Sequence, residues 1–358
     1  MMAGGPDRSP GYAYAALLDY AAALGIKAGL AEDRARIQAE MLLEGDLMGH
    51  TTHGLNLLPA LLDDLASGGM KKCGEPRVLA DHAAALHWDG EFLPGTWLMV
   101  RAIEAAKLKV RNNPVVTVVV RRAHHIAGLV AYLRLATEAG LALLIVNSDP
   151  SSRTVAAHNG IGRQITPNPL AFGYPTQDGP VLIDISTSTT ANAWVRRWMA
   201  EGKTLPGRWI VDHAGNPSDD PKAMFGDPPG ALLPLGGVEL GYKGFALGLM
   251  IEALTSGLTG FGRADGAKGT GGPVTLMLFD PSGFGGLPAF KREASFLADS
   301  VRSSKVRPGA ASPRMPGERA LALRAEQLAR GVELYPSIMP ALAKWSDQLG
   351  VKPPTPLA

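Results

Sequence analysis

Cysteine is almost missing from this chain of 358 residues: Cys73 is the only one. No intrachain disulfide can form, and zinc sites built from two or more thiolates are excluded. A reducing cytoplasm is the expected home. Charge of one sign is lacking too, with 35 basic against 33 acidic side chains. So near-neutral a balance offers no electrostatic reason for a nucleic-acid partner. Long apolar runs are missing as well. The longest, Gly244 to Gly260, is interrupted by Glu252 and rich in small residues, too short to span a bilayer. The N-terminal stretch has no cationic start followed by an apolar core, so neither an export signal nor a membrane partner is expected. Finally, G-x-G-x-x-G occurs in no register and G-x-x-x-x-G-K-[ST] not at all, which argues against a standard dinucleotide fold or a P-loop. Gly160-Ile-Gly162 comes nearest, but the third glycine is missing.

What is present is ordinary globular material, with 46% hydrophobic and 19% charged residues. A single core stops growing at roughly 250–300 residues, so this length suggests two domains. From Tyr12 to about Ala66 apolar residues recur at helical spacing, and Gly25 and Gly29 separate the runs. This segment reads as a small helical bundle. After Gly68-Gly69 the texture changes to short strand-like pieces, RVLAD and AALHWDG. Further strands are expected at 115–120, 141–146, 181–185 and 274–279, alternating with helices at 97–110, 129–139, 191–200, 244–258 and 289–303. Helical periodicity returns between Glu318 and Leu349, with Pro336 opening the last helix. The fold class expected is α+β. Residues 1–72 form a helical domain onto which 312–358 fold back, and 73–311 form a domain built on a mixed sheet.

Four segments carry chemistry. Two contain paired histidines, GHTTHGL (His50, His53) and RRAHHIAGL (His124, His125). Imidazole titrates nearest neutrality, so these are natural places for general acid/base work; the alternative is a structural or metal-binding role. The H-E-x-x-H glutamate is missing, and no metal site is expected. A third segment, DISTSTTANAW from Asp184 to Trp194, ends a strand in five consecutive hydroxyl residues. These could hold a phosphate or a carboxamide at a helix start, or serve only as caps. The fourth, LPLGGVELGYKGFALGLMIEALTSGL, places Lys243 ahead of a helix, where its ammonium could neutralise a phosphate or simply be solvated.

Taken together, these segments and RMPGER (Arg314–Arg319) resemble the type-2 malate/L-lactate dehydrogenase family, over nearly the whole chain. The resemblance implies an NAD- or NADP-dependent oxidoreductase, usually a homodimer, whose cofactor-binding sheet domain is not a Rossmann fold. Its substrate is a small molecule. The family's Ser-His-Gly proton donor falls on Thr52-His53-Gly54, and a second functional histidine falls on His125. Cofactor contacts carry over onto Ser186, Thr187 and Ser188, onto Tyr242 and Lys243, and onto Gly317, Glu318 and Arg319. The family arginine that grips a substrate carboxylate is here Leu57, a nearby tyrosine is Leu61, and Trp194 replaces a small residue. The expected reaction is hydride transfer between nicotinamide and a 2-hydroxy/2-oxo acid such as malate or lactate. Alternatives are reduction of a cyclic imino acid and a catalytically silent nucleotide-binding relative.

Overall fold

The computed structural model describes residues 11–357, so most of the N-terminal stretch read for an export signal lies outside the described residues. Ten α-helices occur in chain order: α1 (Tyr14–Lys27), α2 (Glu32–Leu47), α3 (Leu58–Ser67), α4 (Gly95–Val110), α5 (Val130–Thr137), α6 (Asn192–Ala200), α7 (Gly237–Glu252), α8 (Leu287–Arg302), α9 (Glu318–Arg330) and α10 (Ile338–Leu349). No described helix is long and apolar enough to cross a membrane.

The largest sheet has seven strands, in the order Arg77–Asp81, Ala85–Asp89, Val115–Ala123, Gly272–Phe279, Ala142–Asn147, Leu170–Tyr174 and Val181–Ile185. Only the pairing of Ala85–Asp89 with Val115–Ala123 is parallel; the other neighbours are antiparallel. The sheet is therefore mixed. Its central strands are β-branched and aliphatic, and Val118, Leu276 and Ile145 stand in register with no exposure to water. Trp97, Ala102 and Ile103 of α4 and Leu133 and Ala136 of α5 share the same core.

A second core is mainly helical. Leu17 and Leu24 of α1, Leu42 and Leu43 of α2 and Leu62 and Leu65 of α3 join Leu342 and Trp345 of α10. Polar bonds fix the long-range part of this assembly. Tyr20 and Ser346 share a buried hydroxyl contact of 2.6 Å, and Gln327 of α9 donates to the Asp46 and Leu47 carbonyls at 3.0 Å each, closing the end of α2. These are the carbonyls that a helix C-terminus leaves unpaired.

Three local readings need correcting. Lys243 lies inside α7, which begins at Gly237 rather than near residue 244. Pro336 precedes α10 by two residues, and Ser337 is its cap. Past Glu252 the chain widens into a π-helical turn, Ala253–Gly257, in place of a straight helix to 258. A five-stranded sheet of two- and three-residue strands between 155 and 232 had no sequence counterpart, because such short pieces show no period.

One buried carboxylate fixes the strand ends that lead to the second histidine pair. Asp89 is fully buried and accepts from Arg121 Nε at 3.0 Å, from Arg122 and from the Glu91 N–H at 3.1 Å. Burial opposes its charge, yet Arg122, the Glu91 N–H and Arg121 outweigh burial and hold the carboxyl far below its usual range. Arg122 adopts φ 52° there, turning the chain towards His124 and His125. Asp89→Ala is expected to cost about 3 kcal/mol of stability, read by urea denaturation, because it leaves clustered guanidiniums unpaired. A loss below about 1 kcal/mol would show that the arginines re-solvate freely.

Candidate active site

After α2 the chain turns at Gly49, whose φ of 81° suits glycine, and His50 N–H returns to the Gly45 carbonyl at 2.8 Å. His50 and His53 therefore stand on a short loop and not on the helix. The glycine of Thr52-His53-Gly54 has a steric cause: a Cβ at Gly54 would collide with the Asp46 carboxyl that lies flat against it. Thr52 is buried, and its Oγ1 lies 2.9 Å from His53 Nδ1. His125 comes from the other side, off the end of strand Val115–Ala123. Its Nδ1 accepts the Ala127 N–H at 3.0 Å. The two imidazoles meet across a crevice with ring centroids 6.1 Å apart.

Burial dominates their chemistry. His53 is pushed down to about 4 by burial, with His125 adding to the effect. His125 is likewise pushed down to about 4 by burial, with His124 adding. Both rings are neutral near pH 7 in the free protein. Because Nδ1 of neutral His125 accepts a hydrogen bond, its proton sits on Nε2. His124 is fully buried, and its Nε2 contacts Asp64 Oδ2 of α3 at 3.1 Å, joining the sheet edge to the helical core.

The crevice has a volume of about 670 Å³ and is lined by His50, His53, His125, Asn56, Asn192 and Trp194, among others. Asp149 and Asp184 also line it, but no lysine or arginine does. A second cavity of about 850 Å³ adjoins it, sharing Gly49, His50, Asp184 and Ile185. Asp184 Oδ2 accepts the Val130 N–H at the start of α5 at 2.8 Å and lies 3.7 Å from His50 Nδ1. Arg314 and Arg319 line this second cavity.

The residues expected to touch cofactor divide accordingly. Ser186 lines the crevice, but Thr187 and Ser188 are buried and their hydroxyls bond the Pro167 and Thr190 carbonyls at 2.9 and 2.7 Å. Gly317 and Arg319 line the second cavity, whereas Glu318 closes its own turn by accepting the Met315 N–H at 3.0 Å and pairing with Arg302. Tyr242 and Lys243 are exposed on α7 and line neither cavity. Leu57 lines the crevice, while Leu61 is packed in the helical core. Arg122, two residues before His124, is committed to Asp89 and does not replace the arginine missing at position 57. Asn56, Asn192 and Asp46 were not singled out from the sequence, since isolated amides and a helical acid form no pattern.

Comparison with known proteins completes the description. The family model described as malate/L-lactate dehydrogenase matches residues 12–343. An L-lactate dehydrogenase of Cupriavidus necator is 32% identical, over 94% of this chain and 96% of the relative. A Delta(1)-pyrroline-2-carboxylate/Delta(1)-piperideine-2-carboxylate reductase of Pseudomonas syringae is 30% identical over 89% and 91%. Among solved structures, a malate dehydrogenase of Pyrococcus horikoshii superposes with a TM-score of 0.87 at 25% identity, covering 98% of this chain and 99% of that one. With the family model spanning nearly its whole length, this chain belongs to the malate/L-lactate dehydrogenase family.

Proposed function

We propose that the crevice is the active site of a nicotinamide-dependent oxidoreductase acting on a 2-oxo or 2-hydroxy monocarboxylic acid with an apolar side chain. The observation that carries this reading is a pair of half-buried neutral imidazoles in a cavity lined by no described lysine or arginine. A carboxylate bound there raises the basicity of the imidazoles, because an opposite charge within a few ångströms favours protonation. Two rings this close accept one proton between them far more readily than two. The crevice is thus suited to one anionic group. A second carboxylate or a sulfonate on the substrate would face Leu57, Trp194 and the two aspartates unpaired.

The residues fit a dinucleotide. Arg314 and Arg319 line the second cavity, and neither takes part in any described hydrogen bond or ion pair. They suit phosphate, Ser186 and the shared wall Gly49–His50 lead from there into the crevice, and the cofactor when bound supplies or takes the hydride. Thr52 donates to His53 Nδ1, which leaves the proton of His53 on Nε2 for the substrate oxygen as negative charge grows there. His125 Nε2–H and the amides of Asn56 and Asn192 hold the carboxylate. In this reading the helices of residues 1–72 and 312–358 form one wall and the domain of 73–311 the other, without a Rossmann unit.

The assay that tests this supplies NADH or NADPH with pyruvate, 2-oxo-4-methylpentanoate, phenylpyruvate and oxaloacetate, beside a cyclic imino acid. The last carries the same single charge and suits the Trp194 wall. Higher kcat/KM for apolar monoacids than for oxaloacetate is expected, with His53→Ala lowering kcat about 10²-fold or more. Turnover of no substrate in the set would sink the reading. Arg319→Ala and Arg314→Ala are expected to raise the dinucleotide KM about tenfold or more. A loss confined to NADPH assigns the arginines to a 2′-phosphate, an equal loss to the pyrophosphate, and no loss removes them from the cofactor site.

The chain is also proposed to act as a homodimer. One face of α7 packs through Gly241, Gly244 and Gly248, while Val238, Leu240, Leu247, Leu249 and Met250 are exposed. An apolar surface of this kind is unusual on a monomer. Any cofactor contact by Tyr242 or Lys243, which stand on this helix, would then reach the copy opposite. Leu249→Glu is expected to shift the elution in size-exclusion chromatography from dimer to monomer; an unchanged elution at the monomer position in the parent protein would remove the proposal.

A further inference from the structure

The loop that presents Thr52 and His53 is tied at its neck by the side chain of Asp46, in the last turn of α2. Its carboxyl has no exposure to water, and Oδ2 accepts the Leu55 N–H at 2.7 Å, joining two residues that bracket the whole loop. Oδ1 is buried with no hydrogen-bond partner. Gly54 lies so close that no side chain could stand there, and a Cβ at Gly45 would meet the His53 carbonyl at 3.1 Å. The imidazole of His53 therefore has its place set by a backbone segment pressed onto this carboxyl. No ion pair compensates it, since Arg197, whose charge is felt there, spends its guanidinium on the Thr51 hydroxyl and carbonyl at 2.7 and 2.9 Å. Its site at a helix C-terminus adds the unfavourable end of the helix dipole to an anion.

We propose that Asp46 is the positioning residue for His53, holding the loop in register as an uncharged carboxylic acid and releasing it when it ionises. The inference rests on the role of His53 given above but does not need the cofactor to be bound. Burial raises the carboxyl to about 7, with the Leu55 N–H and Arg197 acting against that rise. The sign follows. A carboxyl that keeps its proton more tightly in the folded state contributes stability that is full below its unfolded pKa and is lost as pH rises through about 7. The other titratable or charged groups around it are Arg197 of α6, whose charge acts on it, and His50, Arg314, Arg319 and Glu333, which line the second cavity together with Asp46. His53 and His125 are each pushed down to about 4 by burial, so these two rings contribute no change in that window.

The test compares the parent protein with Asp46→Asn, which can still accept from Leu55 N–H but cannot ionise, and with Asp46→Ala. Two readouts are taken between pH 5.5 and 9: thermal unfolding without ligand, and kcat and KM. The parent is expected to lose thermal stability and kcat as pH rises through about 7, and Asp46→Asn to lose both dependences. Asp46→Ala is expected to lower kcat about 10- to 100-fold at pH 6, the signature of a displaced catalytic group. If Asp46→Ala does not fold, Asp46→Asn alone decides. An Asp46→Asn protein that keeps the parent's alkaline loss in unfolding temperature overturns the proposal, whatever the activity shows. An inactive parent would sink the proposed function and leave the unfolding arm intact.

Discussion

The structure depends on withholding water from ionisable groups at the meeting of two cores. The helical core and the sheet core each end in a short segment bearing histidines, and closing one segment on the other takes both imidazoles partly out of solvent without giving either a carboxylate partner. Positive charge is kept out of the crevice by local competition. Arg197 is engaged by Thr51 and stacked over Tyr335, and Arg121 and Arg122 are drawn off by Asp89. The loops consequently hold their shape by backbone hydrogen bonds and close contact rather than by ion pairs. This is why small residues recur around the site. Gly95 leaves room for the His124 carbonyl and Gly54 for Asp46, and in each case a Cβ would push a histidine-bearing segment outward.

Much of the fold was legible because its long elements carry strong periods. The strand of 181–185 and the helices around 97–110 and 289–303 are found within a few residues of where apolar spacing places them. The candidate site was legible where side-chain type alone decides, since His53 and His125 do meet at the crevice, and not where orientation decides. Five consecutive hydroxyls look equivalent in a sequence. In the fold the extended backbone and the turn after it alternate them, so that Ser186 and Thr190 face the crevice while Thr187 and Ser188 satisfy carbonyls. Leu57 and Leu61 likewise looked like one altered pocket. Four residues apart on and before α3, they divide between the crevice and the core, so only the first bears on substrate.

Asp46 escaped sequence reading for a different reason. An acid in the last turn of a helix is ordinary in a sequence, and only its complete burial against Gly54 distinguishes it. The same holds for the second cavity. The Gly317 turn, at φ 91°, brings the segment carrying Arg314 and Arg319 back over strand Val181–Ile185, a contact more than 130 residues distant along the chain that no local pattern encodes. The glycine is needed because a Cβ there would strike Leu182.

On the proposed reading, a crevice with neutral imidazoles and no fixed cation in its described lining makes substrate binding and protonation one event. A monocarboxylate entering it pays for desolvation unless a positive charge appears nearby, and the charge available without moving any side chain is a proton on one of the two histidines. Proton uptake then accompanies binding, so the ring that receives it becomes a stronger donor only when an acceptor is present. A fixed arginine would bind the same carboxylate without that coupling, and would hold the ring pKa values low by its own charge. Leucine at position 57 thus does more than widen the pocket. It leaves the substrate as the main source of negative charge within reach of His53 and His125, apart from Asp184, whose carboxylate is already held by the start of α5.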